Sequence, residues 1–193
     1  MPRRGAFRSF LVILSLSCVW AAGASTVESP DLASLSAEAQ QAIHLLQAHD
    51  LYDRQKGFMR LELLRDPATL PVVRLYLNDR NADIRSFAIR ALAAINGINA
   101  VPELVNRLKT EKHPTVRIAI ILGLEPLQDP AILPAFIQRL RDRNPEVRIA
   151  ALDAVSRFKA PEAREALLLR QQRERDRDVQ RVLQDALRRN QAL

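Results

Sequence analysis

A single cysteine, Cys18, stands near the start of the 193 residues. With no second thiol, a disulfide within the chain and a Cys-x-x-Cys redox or zinc motif are excluded. Glycine is scarce, at five residues, and no Gly-rich phosphate loop or Gly-x-Ser-x-Gly elbow occurs. The three histidines, His44, His49 and His113, form no His-Glu-x-x-His motif. His44 and His49 are five apart, which does not set them on one helical face as a spacing of three or four would. The one tryptophan is Trp20. The sequence therefore offers no catalytic residues, no metal ligands and no cofactor site.

Long apolar runs are also missing, apart from Phe10 to Trp20. That run is shorter than the roughly 20 residues of a membrane-spanning helix. Arg3, Arg4 and Arg8 precede it, and Ala22-Gly23-Ala24 follows as a small-x-small cleavage signature. Residues 1–24 are expected to be a Sec-type secretory signal peptide, cut between Ala24 and Ser25, which makes the mature protein periplasmic or secreted. An uncleaved anchor is the alternative, and Arg3-Arg4 matches a twin-arginine signal poorly. Ser15-Leu16-Ser17-Cys18 is only a partial lipobox, so a lipid anchor at Cys18 is a second alternative to a cysteine discarded with the leader. Residues 25–35 read as a short linker.

Charge of one sign is lacking too. The chain has 29 Lys plus Arg against 22 Asp plus Glu, and three of the basic residues lie in the leader. Residues 139–193 hold 14 basic against 9 acidic, and residues 25–138 hold 12 against 13. The run from Arg170 to Arg181, RQQRERDRDVQR, alternates in sign, the pattern of a solvated surface and not of a nucleic-acid site.

What the sequence does have is a beat. Arg54, Arg85, Arg117 and Arg148 follow one another at steps of 31, 32 and 31, and Gln180 stands 32 further on. Neighbouring columns keep time: Ile84, Val116, Val147 and Val179 just before, Asn81, His113, Asn144 and Asp176 four before, and the acids Asp79, Glu111, Asp142 and Glu174 six before. Asn and Asp are good helix N-caps, and Pro114 and Pro145 sit where a first-turn proline is tolerated. After each Arg, apolar residues recur at helical spacing, as in Ile84, Phe87, Ala88, Ala91, Leu92 and Ile95. A second apolar helix precedes each cap: Leu70, Val73, Leu75 and Leu77, then Val101, Leu104, Val105 and Leu108, then Leu133, Phe136, Ile137 and Leu140. Each unit is thus a pair of helices, A then B, of about ten to fourteen residues each. A repeat of this length signals a solenoid.

The strings DIRSFAIRALAAI at Asp83 to Ile95, TVRIAIILGL at Thr115 to Leu124 and EVRIAALDAV at Glu146 to Val155 resemble the second helix of HEAT repeats, in their short HEAT-like or phycobilisome-lyase-type form. The resemblance implies an all-α fold, a right-handed α-solenoid of about five antiparallel helical pairs over residues 36–193. The expected units are 36–65, 66–97, 98–128, 129–160 and 161–193. The terminal units depart from the pattern, with Asp53, Lys56, Gly57 and Arg60 in the first and Gln180 in the last, as end caps do. Enzymes of this type rely on His-Glu pairs or on aromatic and acidic pockets that this sequence lacks.

The expected function is a non-enzymatic protein-binding scaffold of the cell envelope. Helix B conventionally lines the concave face in this family, so Arg85, Arg90, Arg117, Arg148, Arg157 and Arg181 are the candidate contacts to a protein partner. For the arginine column a ladder to the acidic column, pinning the register of the units, is the structural alternative. Ile89, Ile121 and Leu152 are expected in the core. Two other functions stay open: an accessory factor to an envelope enzyme or cofactor-attachment system, and binding of anionic lipid or polysaccharide by the basic C-terminal units.

Overall fold

The computed structural model describes residues 34–191. The expected leader and the cleavage site fall outside the described residues. Ten α-helices lie within them: α1 (Ala37–Leu46), α2 (Leu51–Leu64), α3 (Leu70–Leu75), α4 (Ala82–Asn96), α5 (Val101–Thr110), α6 (Pro114–Leu124), α7 (Leu133–Arg139), α8 (Pro145–Ser156), α9 (Pro161–Gln171) and α10 (Arg177–Gln191). They pair in chain order into an α-solenoid. The even-numbered B helices pack side by side, α2 on α4, α4 on α6, α6 on α8 and α8 on α10, while each odd-numbered A helix packs mainly on its own partner.

Two of the A helices, α3 with 6 residues and α7 with 7, are shorter than the sequence pattern suggests. α3 is flanked by 3-10 turns at Pro67–Thr69 and Tyr76–Asn78, and α7 is preceded by one at Pro130–Ile132. Pro71 and Pro134 are the second residues of these helices and have no N–H to close an α-turn onto the preceding residues. The chain closes instead by the tighter bond, from the N–H of Leu70 to the carbonyl of Pro67 and from Leu133 to Pro130. Leu75, grouped by sequence with the apolar face of its helix, is 58% exposed. It lies two residues from both Val73 and Leu77, which are buried, and two residues turn a helix about 200°.

Caps behave as their chemistry dictates, with one exception. Asn81 accepts from the N–H of Asp83, Asn144 from Val147, and Asp176 from Asp178 and Val179. His113 holds the same place before α6 but its side chain caps nothing.

Ile89, Ile121 and Leu152 are fully buried, one per central B helix. Small residues let the helices approach. A Cβ on Gly57 would lie 2.7 Å from the carbonyl oxygen of Ala42, and one on Gly123 would lie 3.1 Å from Cβ of Ala93. The ends are closed by polar residues at positions that are apolar inside. Lys56 and Arg60 on α2 stand in register with Phe87 and Ala91, and Arg181 and Gln184 on α10 stand in register with Ile149 and Leu152.

Candidate partner-binding face

The arginine column sits in the first turn of the B helices α2, α4, α6 and α8, and its donors turn back to the loops that join helix A to helix B. Nη1 of Arg117 donates to the carbonyls of Glu111 and Lys112, 3.3 and 2.6 Å away, and Nη2 donates to Oδ1 of Asp142 at 2.7 Å. Arg85 bonds Asp79 and Arg80 in its own loop and Glu111 in the next, and Arg148 bonds Asp142 and Arg143 in its own loop and Glu174 in the next. Arg54 reaches Leu46 and Asp79. Gln180 keeps half of this role: its Nε2 donates to the Glu174 carbonyl at 2.7 Å.

Asp79 accepts from Arg54 and the Asn81 N–H, and the other three acids gather donors from three sides. Glu111 accepts from Arg85 and from the N–H of His113, and Arg107 of its own A helix lies 3.6 Å away. Asp142 is placed likewise with Arg117, Asn144 and Arg139. Glu174 accepts from Arg148, the Asp176 N–H and Arg170. The Glu111, Asp142 and Glu174 side chains are 8%, 5% and 2% exposed. The ladder thus ties every unit to the next through partly buried, charge-assisted hydrogen bonds.

Burial alone would raise the Glu174 carboxyl, but the Asp176 N–H and the Arg170 and Arg148 guanidiniums outweigh it and hold it at about 2. Glu111 is likewise lowered against its burial by the His113 N–H, Arg85 and Arg107. A depressed folded-state pKa contributes stability that is present above the unfolded value near 4.5 and is lost as pH falls toward about 2. Urea midpoints should therefore fall between pH 4.5 and 2, and Glu174→Gln should flatten that dependence while lowering the midpoint at neutral pH. Equal slopes for the two proteins would remove Glu174 from this role.

Three of the six arginines proposed from sequence as partner contacts, Arg85, Arg117 and Arg148, are consequently occupied within the chain and only 10–15% exposed. Arg181 is 78% exposed beside Asp178, and its register places it on the closed C-terminal end. Arg90 and Arg157 lie on the surface that the B helices turn away from their A partners. They belong to a second set of ion pairs: between units, Arg90 with Glu62 at 3.1 Å, Arg157 with Glu125 at 2.8 Å and Arg189 with Asp153 at 2.6 Å, and within one unit Arg157 with Asp153 one turn before it at 3.3 Å. Glu62 is raised by burial, partly offset by Arg90. Exposed pairs of this kind contribute about 0–1 kcal/mol each.

Between these pairs the same face is apolar. Met59, Arg90, Leu122 and Asp153 share one column, at steps of 31, 32 and 31. Met59 is 47% exposed, Leu122 53% and Leu63, one turn beyond Met59, 82%. No ion pair spans the α4 to α6 step on this face, where Leu122 stands. The face thus passes from exposed apolar side chains on α2 and α6 to ion-paired ones on α8 and α10. An open groove at the far end is lined by Glu125, Pro126, Ser156, Arg157, Lys159 and Arg189. Sequence reasoning had placed the functional surface on arginines; the exposed Met59, Leu63 and Leu122 escaped it because they fall in columns that are charged elsewhere.

Stacked helical pairs in register, with capped ends and an Arg–acid ladder, are matched by a protein-family comparison: residues 39–125 and 101–188 each fit HEAT repeats. The chain belongs to the HEAT repeat family. Among solved structures, the complex of CpcE and CpcF of phycocyanin lyase from Nostoc sp. PCC7120 is similar to this HEAT repeat protein, with a TM-score of 0.65 at 20% identity. The match covers 78% of this chain and 98% of that one, and at this identity it speaks for the fold. A search of curated proteins found no match. Among the described residues of this HEAT repeat protein, no helix is long and apolar enough to cross a membrane.

Proposed function

We propose that this HEAT repeat protein is a non-enzymatic scaffold of the cell envelope that holds a protein partner along the exposed face of its B helices. The observation that carries the reading is the set Met59, Leu63 and Leu122, large apolar side chains left in water on a face whose neighbouring charges are already paired. Apolar side chains at the centre of a contact surface with paired charges at its rim are the anatomy of a protein interface. Its most buried carboxylates support a scaffold over acid–base chemistry: Glu111, Asp142 and Glu174 are each held by guanidiniums and a backbone N–H. The envelope location rests on the leader-like residues 1–24, and N-terminal sequencing of the mature protein tests it. A start at Ser25 supports export, a lipid-modified Cys18 makes it a lipoprotein, and an intact Met1 removes it.

The binding face is tested with photocrosslinking residues placed at Met59 and Leu122 and, as a control, at the exposed Leu75 on an A helix. A discrete partner is expected from the first two positions and not from the third, and Leu63→Asp should abolish the product without changing the melting temperature. The same products from all three positions would overturn the assignment.

A further inference from the structure

One residue beyond the acidic column runs a second basic column: Arg80, Lys112, Arg143 and Arg175, at steps of 32, 31 and 32, with His49 at the matching place in the first unit. All five are exposed. The ladder arginines use their guanidiniums inside the chain, but among the described residues the side chains of Arg80, Lys112, Arg143 and Arg175 make no hydrogen bond or ion pair. Only their backbones are engaged. The carbonyls of Arg80, Lys112 and Arg143 accept from Arg85, Arg117 and Arg148, and the N–H of Arg175 donates to Glu174. The ladder therefore fixes the chain beneath each free cation, and the column stands on a preorganised edge.

That edge is also basic in its last three loops. Residues 107–117 carry four Lys plus Arg against Glu111 alone, residues 139–148 four against two acids, and residues 170–181 five against three. The N-termini of α4, α6, α8 and α10 end here as well, adding the positive ends of their helix dipoles. A row of like charges with no partner among the described residues costs self-repulsion, whereas the neighbouring acids Asp79, Glu111, Asp142 and Glu174 are all paired.

We propose that this loop edge binds an extended acidic segment of the protein partner, running across the units and placing one carboxylate against each cation. The proposal rests on the scaffold reading above and adds the chemistry of what the scaffold holds. Neighbouring packed helices lie about 8–10 Å apart, so the free cations recur on that scale. A polyproline-II segment rises about 3.1 Å per residue with three residues per turn, so every third side chain returns to the same side after about 9 Å. Acid-rich segments repel themselves, stay extended and bury little apolar surface, which suits a narrow edge. A single file of cations matches a linear ligand better than a sheet of lipid headgroups.

The test uses the full described chain and a synthetic peptide of about five Glu-x-x repeats, with its Gln-x-x counterpart as control, read by fluorescence anisotropy at low and physiological salt. The Glu peptide is expected to bind and the Gln peptide not. The combined variant Arg80→Gln, Lys112→Gln, Arg143→Gln and Arg175→Gln should lose roughly tenfold or more in affinity, about 1.4 kcal/mol for each factor of ten, and keep its melting temperature. A variant of equal charge change off the column, Arg60→Gln, Arg65→Gln, Arg164→Gln and Arg188→Gln, should bind nearly as well as the parent. Equal losses in the two variants would reduce the effect to bulk charge and overturn the proposal, as would binding of dextran sulfate or phosphatidylserine vesicles through the column without binding of the peptide. Crosslinks from Met59 and Leu122 in the parent protein, with no binding of the Glu peptide to it, overturn the edge alone; absence of those crosslinks overturns the scaffold reading.

Discussion

Arg117→Ala is expected to lower folding stability by about 3–5 kcal/mol, a large share of the roughly 5–15 kcal/mol that a domain of this size holds. The side chain is only 10% exposed and ties three carbonyl or carboxylate groups from two consecutive loops. Its loss leaves Asp142, 5% exposed, with Arg139 at 3.6 Å as its remaining cation and the Glu111 and Lys112 carbonyls short of a donor. Removing one member of a buried pair costs more than the pair is worth, because the desolvated partner remains. Arg117→Lys should recover little, since an ammonium cannot span the two loops as a planar guanidinium does. A second consequence follows from the architecture. In a solenoid each unit touches only its neighbours, so weakening the α6 to α8 step uncouples two halves. Urea unfolding should then broaden, with a lower apparent m-value, and Arg60→Ala on the exposed end should shift the midpoint by no more than about 0.5 kcal/mol. If Arg117→Ala is as stable as the parent but loses its crosslinked partner, the arginine column is a binding stripe and not a ladder.

The ladder was legible in the sequence because it repeats. Asp79, Arg85 and Glu111 keep fixed offsets, so both ends of each bond could be read from spacing alone. The buried Ile89, Ile121 and Leu152 were legible for the same reason. What escaped is what does not repeat in chemistry. Met59 and Leu122 share a column with Arg90 and Asp153, and only the packing shows that the whole column is in water. Spacing also could not separate two basic columns of opposite fate. Arg85 and Arg80 are five residues apart in one loop region, yet the first is 15% exposed and bound on both sides, and the second is exposed and free. The difference is geometric: a residue one turn into helix B points back under its own loop, while the residue after the acid sits on the loop's outer bend. Arg157 shows the converse, a candidate contact that lies on the proposed face but already holds Glu125 and Asp153.

Phe58 carries the other large expectation, and it decides whether the first pair of helices is part of the working scaffold. The sequence pattern set this unit apart, since Asp53, Lys56, Gly57 and Arg60 occupy places that are apolar in the central units. In the structure Phe58 is fully buried, edge-on to Tyr76 with ring centroids 5.5 Å apart and tilted against Phe87 at 6.3 Å. Tyr76 also faces the guanidinium of Arg54 at 5.5 Å, so one aromatic cluster joins α2, the turn after α3 and α4. Phe58→Ala should cost about 3–5 kcal/mol by lost burial and the cavity left behind. Because α1 and α2 have a neighbouring helical pair on one side only among the described residues, that loss should appear as fraying of the first pair and not as global unfolding. Hydrogen exchange should accelerate over residues 37–64 while α6 and α8 keep their protection. Met59 and Leu63 are carried on α2, so fraying should remove the Met59 crosslink and leave contacts at Leu122, whereas Met59→Ala, on the exposed side of the same helix, should weaken the partner without altering exchange. Uniform acceleration throughout the chain would instead show that the five units fold as one cooperative block, and retention of the Met59 crosslink in frayed protein would move the apolar contact off α2.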